Sequence, residues 1–289
     1  DSNRPRTFLV SRSSDVTIKD VTFQQAGFWT IQLLYSTQCT VDGVIIQNNV
    51  GGHGPSTDGV DIDSSSQILV QNCDIDCNDD NFCLKSGRDA DGLRVNRPTE
   101  YVVIRDCVSR AGGGLLTCGS ETSGGIRYVY AENLKAKGTN VGIRLKSAMN
   151  RGGTTEHIYI KNIEMDDVGT VFEASMNWNP AYSYCELPLG YEGDLPAHWE
   201  KLLEAIPASV PKTKVSDITI ENVTAWNEPE YDGISRAFHM EGFEDQPIEH
   251  VVFKNVSMAC REFGVINHTK DIEFQNVTVS VSGARDEKN

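Results

Sequence analysis

One short pattern of apolar and polar positions returns nine times along the chain: apolar, any, apolar, any, Asn or Asp, apolar, any, apolar. It reads VTIKDVTF at 16–23, ILVQNCDI at 68–75, IYIKNIEM at 158–165 and IEFQNVTV at 272–279. The fifth position is Asp20, Gly43, Asn72, Asp106, Asn133, Asn162, Asn222, Asn255 and Asn276. Strict alternation within each unit predicts strands with one buried face. The polar fifth position suits a bend between two strands, since Asn tolerates left-handed backbone and bonds its neighbours. Successive fifth positions lie 21 to 34 residues apart, except for 60 between Asn162 and Asn222, which is either two turns or one turn with a large insertion. Repeats of this length, made of strands with no helical spacing between them, predict a solenoid in which each turn adds one strand to each of several parallel sheets. A β-sandwich would need hairpin turns, and Asn-Gly or Asp-Gly pairs do not fall regularly between these strands.

The expectation is thus all-β, one solenoid domain over 1–289, broken by an aromatic and proline-rich insertion at 176–212. Within it HWEKLLEAI, residues 198–206, is able to form one short helix. So long an insertion is either a wall beside a cleft or a packed surface flap. Four Asn-x-Ser/Thr sequons occur, at Asn222, Asn255, Asn267 and Asn276. Three fall on the repeat's own bend, so they read as structure rather than as glycan sites.

Composition narrows the partners. The net charge is −15, from 41 acidic and 26 basic side chains, against the cationic footprint that nucleic-acid binding needs. An anionic sugar is still compatible, because local Arg and Lys outweigh distant acids beyond one Debye length. No apolar run reaches the roughly 18–20 residues that cross a bilayer, so no membrane partner is expected. The opening DSNRPRTF is no leader, as in a mature protein or a piece of a longer precursor. The eight cysteines fit no common zinc or redox spacing and read as small buried side chains, with a disulfide or two open if the protein is exported.

A second set of strands lies between the repeats: TIQLL at 30–34, GVDID at 59–63, NFCLK at 81–85, LLTCG at 115–119 and GIRLK at 142–146. With Ile62 and Leu84 taken as equivalent inward positions, Asp58 and Asp80 each lie four residues earlier, on neighbouring turns, with Asp79 beside Asp80. Arg144 and Lys146 emerge two turns further along the same sheet. Three converging carboxylates push their proton affinities apart, which lets one act as acid and another as base. Inverting glycosidases hold such a pair roughly 6.5–9.5 Å apart, leaving room for water. The nearby Arg and Lys suit the carboxylate of a uronic acid. On spacing alone a Ca²⁺ site or a solvated acidic edge is an open alternative.

The same residues carry a family resemblance. STDGVDIDSS at 56–65, NDDNFCLKSG at 78–87, GGGLLTCGSE at 112–121 and RLK at 144–146 resemble the successive motifs of glycoside hydrolase family 28, the polygalacturonases and rhamnogalacturonases. The resemblance runs from RPRTF at 4–8 and FWTI at 28–31 to the last repeat. It implies a right-handed parallel β-helix that hydrolyses galacturonic-acid-containing pectic chains with inversion, without metal or organic cofactor. By motif position it implies Asp79 as general acid, Asp58 and Asp80 as the pair that positions and deprotonates water, and Arg144 and Lys146 as ligands of the substrate carboxylate. Lys85 and Ser86 would support them. His53, five residues before Asp58, either reaches the cleft or stands in solvent.

Three positions depart from the family pattern. Ser56 replaces an Asn, Asn78 replaces a Gly or Gln, and Gly113 stands where polygalacturonases have a histidine. The last departure tilts the expected substrate towards the mixed rhamnose–galacturonate backbone. It also sustains a second reading, a catalytically inactive β-helix that binds pectic glycans; a Ca²⁺-dependent lyase on the same fold is a third. The aromatics Trp178, Tyr182, Tyr184 and Trp199 are expected to stack on sugar and close one cleft end, favouring exo cleavage. The family's members have further N-terminal turns and a cap, whose lack would expose apolar strand edges. Localisation follows from the substrate alone: pectin lies outside cells, so a secreted or periplasmic protein is expected.

Overall fold

The computed structural model describes residues 4–283; the side chain of Tyr182 lies outside the description. Two long parallel sheets run the length of a coil. One has nine strands: Phe8–Ser11, Ile31–Leu34, Val60–Asp63, Phe82–Lys85, Gly114–Cys118, Val141–Lys146, Thr170–Ser175, Arg236–Glu241 and Glu262–Asn267. The other is built on the repeat, growing from Ser14–Lys19 to the thirteen-residue strands Thr154–Asp166, Lys214–Trp226, Ile248–Cys260 and Thr269–Val281. Each strand pairs in parallel with the strand one turn away, the connectivity of a right-handed parallel β-helix.

Alternation fixes which face turns inward. Along the nine-stranded sheet one inward file reads Leu33, Ile62, Leu84, Cys118, Leu145, Ala174, Met240 and Ile266, each in register with the next. These side chains meet the inward faces of the repeat strands in one continuous core. Repetition thus turns a local pattern into a long apolar stack, with every turn buried by its neighbours. Seven of the eight cysteines are buried and the eighth, Cys185, is half-buried; all eight are free thiols.

All nine fifth positions of the repeat have left-handed backbone, with φ between 52° and 64°. From Asp106 onward their side chains form a ladder. Asn133 donates to Asp106 (2.9 Å), Asn162 to Asn133 (3.1 Å), Asn222 to Asn162 (3.0 Å), Asn255 to Asn222 (3.1 Å) and Asn276 to Asn255 (2.9 Å). Three of the sequon asparagines, Asn222, Asn255 and Asn276, are therefore rungs of this ladder. The 60-residue gap is one turn with an insertion, because Thr154–Asp166 pairs directly with Lys214–Trp226.

The insertion carries two short helices, Pro180–Ser183 and Ala197–Leu203. The second begins one residue before the predicted segment and ends three before its close. Glu204 is already extended, as suits a chain approaching Pro207. A third helix, Asp89–Val95, follows the strand Phe82–Lys85 and was not expected from its seven residues, which include a glycine. Among the described residues no helix is long and apolar enough to cross a membrane.

Candidate active site

The site lies on the outward face of the nine-stranded sheet. The register pairs Val60 with Phe82 and Ile62 with Leu84, so Asp58 and Asp80 occupy equivalent places just before their strands. Gly59 N–H donates to the Asp80 carbonyl (2.9 Å), which locks the two turns together there. A Cβ at Gly59 would stand 2.5 Å from the Asn81 carbonyl oxygen, so glycine after Asp58 permits this close approach. Two further bonds tie the loops that carry the acids: Asn78 N–H to Thr57 Oγ1 (3.1 Å) and Asn78 Nδ2 to the Gly54 carbonyl (2.9 Å).

One carboxylate oxygen from each of Asp58, Asp79 and Asp80 lies within 4.8 Å of the other two. Asp58 and Asp80 are buried, Asp79 half-buried. Their surroundings differ. Asp80 accepts from Lys146 Nζ (2.8 Å), Thr117 Oγ1 (2.8 Å) and Arg144 Nη1 (3.2 Å). Burial alone would raise its carboxyl, but Lys146 and Arg144 outweigh burial and hold it far below the ordinary carboxylate range. The Asp79 carboxylate accepts the Asp80 N–H (2.9 Å). Burial first, and then the charge of Asp80, push its carboxyl up. Asp58 is pushed well up by burial and by Asp79, and its Oδ1 has no hydrogen-bond partner among the described residues. One acid is thus held ionised while two resist ionisation.

The cations predicted to meet the substrate are already engaged. Lys146 bonds Asp80, and its ammonium lies 4.4 Å from the Trp178 ring centroid. Arg144 bonds Asp80 through Nη1 (3.2 Å), and its Nε lies 3.0 Å from Glu173 but makes no hydrogen bond among the described residues. Lys85 is buried; its ammonium sits 3.1 Å from Glu121, 3.8 Å from Asp61 and 4.7 Å from the Trp29 ring. Lys85 holds Glu121 down to about 2, against the raising effect of burial. Ser86 is buried beside it, with its hydroxyl 3.4 Å from the Glu121 carbonyl. His53 is exposed, and its side chain makes no hydrogen bond or ion pair among the described residues.

Sequence reasoning missed several groups. Asp61 faces outward from Val60–Asp63, fully buried, with both carboxylate oxygens lacking a hydrogen bond among the described residues and the Lys85 ammonium 3.8 Å away. Thr117, Glu121 and Glu173 complete the polar frame. Alternation on the strands was a usable signal for Asp61, Thr117 and Glu173, because Asp61, Cys83, Thr117, Arg144 and Glu173 form one outward file. Gly113 lies under the acids: an added Cβ would be 3.2 Å from Asp79 Oδ1 and from Asp80 Oδ1. Beside it Gly112 has φ of 113°, and a Cβ there would lie 2.3 Å from the Asp79 carbonyl oxygen.

Of the insertion's aromatics, Trp178 reaches the cluster through Lys146. Tyr184 and Trp199 instead line a separate cavity of about 460 Å³ with Arg88, Leu187 and Tyr191.

Comparison with known proteins bears on the family and the fold. A family model described as glycosyl hydrolases family 28 matches residues 1–180. A probable polygalacturonase of Vitis vinifera is 28% identical over 88% of this chain and 46% of its own length. An exo-poly-alpha-D-galacturonosidase of Dickeya chrysanthemi is 29% identical over 93% of this chain and 42% of its own. The chain therefore spans less than half the length of these two curated relatives. The structure of a hyperthermoactive exopolygalacturonase from Thermotoga maritima superposes with a TM-score of 0.77 at 25% identity, covering 96% of this chain and 55% of that one. The family match covers more than half of the chain, and the chain belongs to glycosyl hydrolase family 28.

Proposed function

We propose that the protein hydrolyses galacturonic-acid-containing pectic chains, with Asp79 as general acid and Asp58 and Asp80 as the pair that holds and deprotonates water, the proton passing to ionised Asp80. The observation that carries this reading is the unequal treatment of three carboxylates within 4.8 Å of one another. Asp80 is kept charged by Lys146 and Arg144, while Asp79, half-exposed and with its carboxyl raised by burial and by Asp80, is the acid placed to give a proton to a leaving oxygen. Arg144, with Lys146 and Lys85, supplies the positive field for a uronate carboxylate. The matched polygalacturonases support that substrate class. His53 belongs to the loop pinned by Asn78 and is read as a rim residue of the same cleft. Because pectin is extracellular, the protein acts in a secreted or periplasmic setting.

Inversion is what family membership suggests. The oxygens here are closer than the roughly 6.5–9.5 Å between carboxyls that ordinarily leaves room for water between acid and base. In the inverting reading the water sits beside the cluster, held jointly by Asp58 and Asp80, and Asp79 faces the glycosidic oxygen. The solenoid is read as one domain whose insertion, through Trp178 on Lys146, walls one side of the cleft and favours removal of terminal sugars. Gly113, which leaves space under Asp79 and Asp80, favours a rhamnogalacturonan backbone over homogalacturonan. The same glycine supports a second reading, a β-helix that binds pectic glycans without cleaving them.

The test is release of reducing ends from both polymers by the wild type and Asp79→Asn, with proton NMR of the first product. Cleavage lost in the variant, and an anomer inverted relative to the substrate, are the expected results. A retained anomer would remove the inverting mechanism. A folded wild type that binds both polymers and releases nothing would leave the binding reading in place.

A further inference from the structure

The file that holds Asp58 and Asp80 continues beyond them towards the start of the chain. Phe8 pairs with Ile31, Ile31 with Val60 and Val60 with Phe82. Two residues before each stand Arg6, Trp29, Asp58 and Asp80. The bonds Thr7 N–H to the Trp29 carbonyl (3.1 Å), Thr30 N–H to the Asp58 carbonyl (2.9 Å) and Gly59 N–H to the Asp80 carbonyl (2.9 Å) extend the register to these positions. Neighbouring strands lie about 4.8 Å apart, so Arg6 stands roughly 10 Å from Asp58 along the solenoid axis.

Arg6 is fixed without being neutralised. Its guanidinium carbon lies 4.9 Å from the Trp29 ring centroid and 5.5 Å from that of Phe28. Those two rings stack on each other at 5.1 Å and 15°. The Arg6 side chain is exposed and has no ion pair or hydrogen bond among the described residues. Trp29 also touches the Lys85 ammonium (4.7 Å), which reaches Asp61 (3.8 Å), and Asp61 offers an oxygen within 4.8 Å of Asp58. A short chain of contacts thus joins Arg6 to the carboxylate cluster. Arg144, by contrast, is committed to Asp80 and Glu173.

We propose that Arg6, braced on Phe28 and Trp29, forms a further subsite that takes the carboxylate of a second uronic-acid residue in the chain lying across the sheet. The inference rests on the pectic-chain reading above. A guanidinium presents a planar pair of donors matched to a carboxylate, and stacking on aromatic rings holds that fork in place before the ligand arrives. Placement along the solenoid axis is what a polymer crossing successive turns requires. In a protein of net charge −15, an arginine with no ion pair among the described residues gives an anionic ligand a local attraction that the distant acids do not cancel.

The experiment is calorimetric binding of galacturonate oligomers, from one to five residues, to Asp79→Asn protein with and without Arg6→Gln or Arg6→Lys. Tetra- and pentagalacturonate are expected to bind roughly tenfold more weakly to Arg6→Gln, with mono- and digalacturonate unchanged. Arg6→Lys should recover part of the loss, and methyl-esterified oligomers should not sense the substitution. An equal loss at every length, no loss at any length, or no binding by the Asp79→Asn parent would overturn the subsite. A length-dependent loss alongside a wild type that releases no reducing ends would sink hydrolysis and leave the Arg6 site standing.

Discussion

Lys146 Nζ lies 2.8 Å from Asp80 Oδ2, with the two side chains 6% and 1% exposed. The contact crosses two turns of the solenoid and decides which of three neighbouring acids carries charge. Lys146→Met is expected to leave Asp80 paired only with Arg144, raise its carboxyl and destabilise the fold by about 3 kcal/mol. The sign follows from the depressed folded value. The stability that Asp80 contributes is present above its unfolded pKa of about 3.9 and is lost as pH falls towards its folded value. The variant should therefore lose stability at neutral pH and show a weaker acid dependence, read from melting curves at pH 3 to 7. An unchanged neutral melting temperature would contradict the assignment.

Asp79 behaves in the opposite sense. Its folded carboxyl is raised, so the folded state keeps a proton that the unfolded chain releases near 3.9. Stability then falls as pH rises from about 4 through the folded value. Asp79→Asn should remove that penalty, matching or exceeding the wild-type melting temperature at neutral pH. It should also cut kcat by at least about a hundredfold. For the wild type, activity should fall on the alkaline side as Asp79 loses its proton. A variant that loses both activity and stability would instead mark Asp79 as structural.

Chelation is expected to leave hydrolysis unchanged. Lys146 and Arg144 already occupy the oxygens of Asp80, and Lys85 lies against Asp61, so cations of the chain itself fill the places a divalent ion would take. Activity measured after EDTA treatment, with ultraviolet absorbance followed for an unsaturated product, checks this. Loss of activity restored by Ca²⁺ would argue for lyase chemistry.

Gly113→His places a side chain against Asp79 and Asp80, where a Cβ would stand only 3.2 Å from an oxygen of each. The glycine has ordinary negative φ, so the backbone accepts the change and the carboxylates must shift by a few tenths of an ångström. The ratio of homogalacturonan to rhamnogalacturonan cleavage should rise. An unchanged ratio would detach Gly113 from substrate choice.

The repeat made the coil legible because a solenoid repeats its chemistry. Each bend uses the left-handed tolerance of Asp20, Asn72 or Asn133, and each strand shows its buried face by alternation. The pairing of Ile62 with Leu84 was readable for the same reason, and with it the meeting of Asp58, Asp79 and Asp80. What alternation hides is the covering of the outward face. Asp61 and Lys85 look like solvent positions on their strands, yet both are buried. The engagement of Arg144 with Glu173 and the division of the insertion's aromatics between two places also depend on contacts across turns. No local pattern encodes those.

One carbonyl in the insertion has a mechanical consequence. Ser183 O accepts from Arg88 Nη2 (3.2 Å), Asn150 Nδ2 (3.1 Å) and Arg151 Nη1 (3.0 Å), and buried Arg151 also grips Asp89 and the Ser120 carbonyl (3.1 Å). A solenoid held only by neighbouring turns frays from its ends, one turn at a time. Here residues up to 95 apart in sequence are clasped together around the turns that bear the acids. That clasp makes the middle of the coil a cooperative block. Through it the insertion braces the turns beside the acids, and the carboxylates keep their spacing.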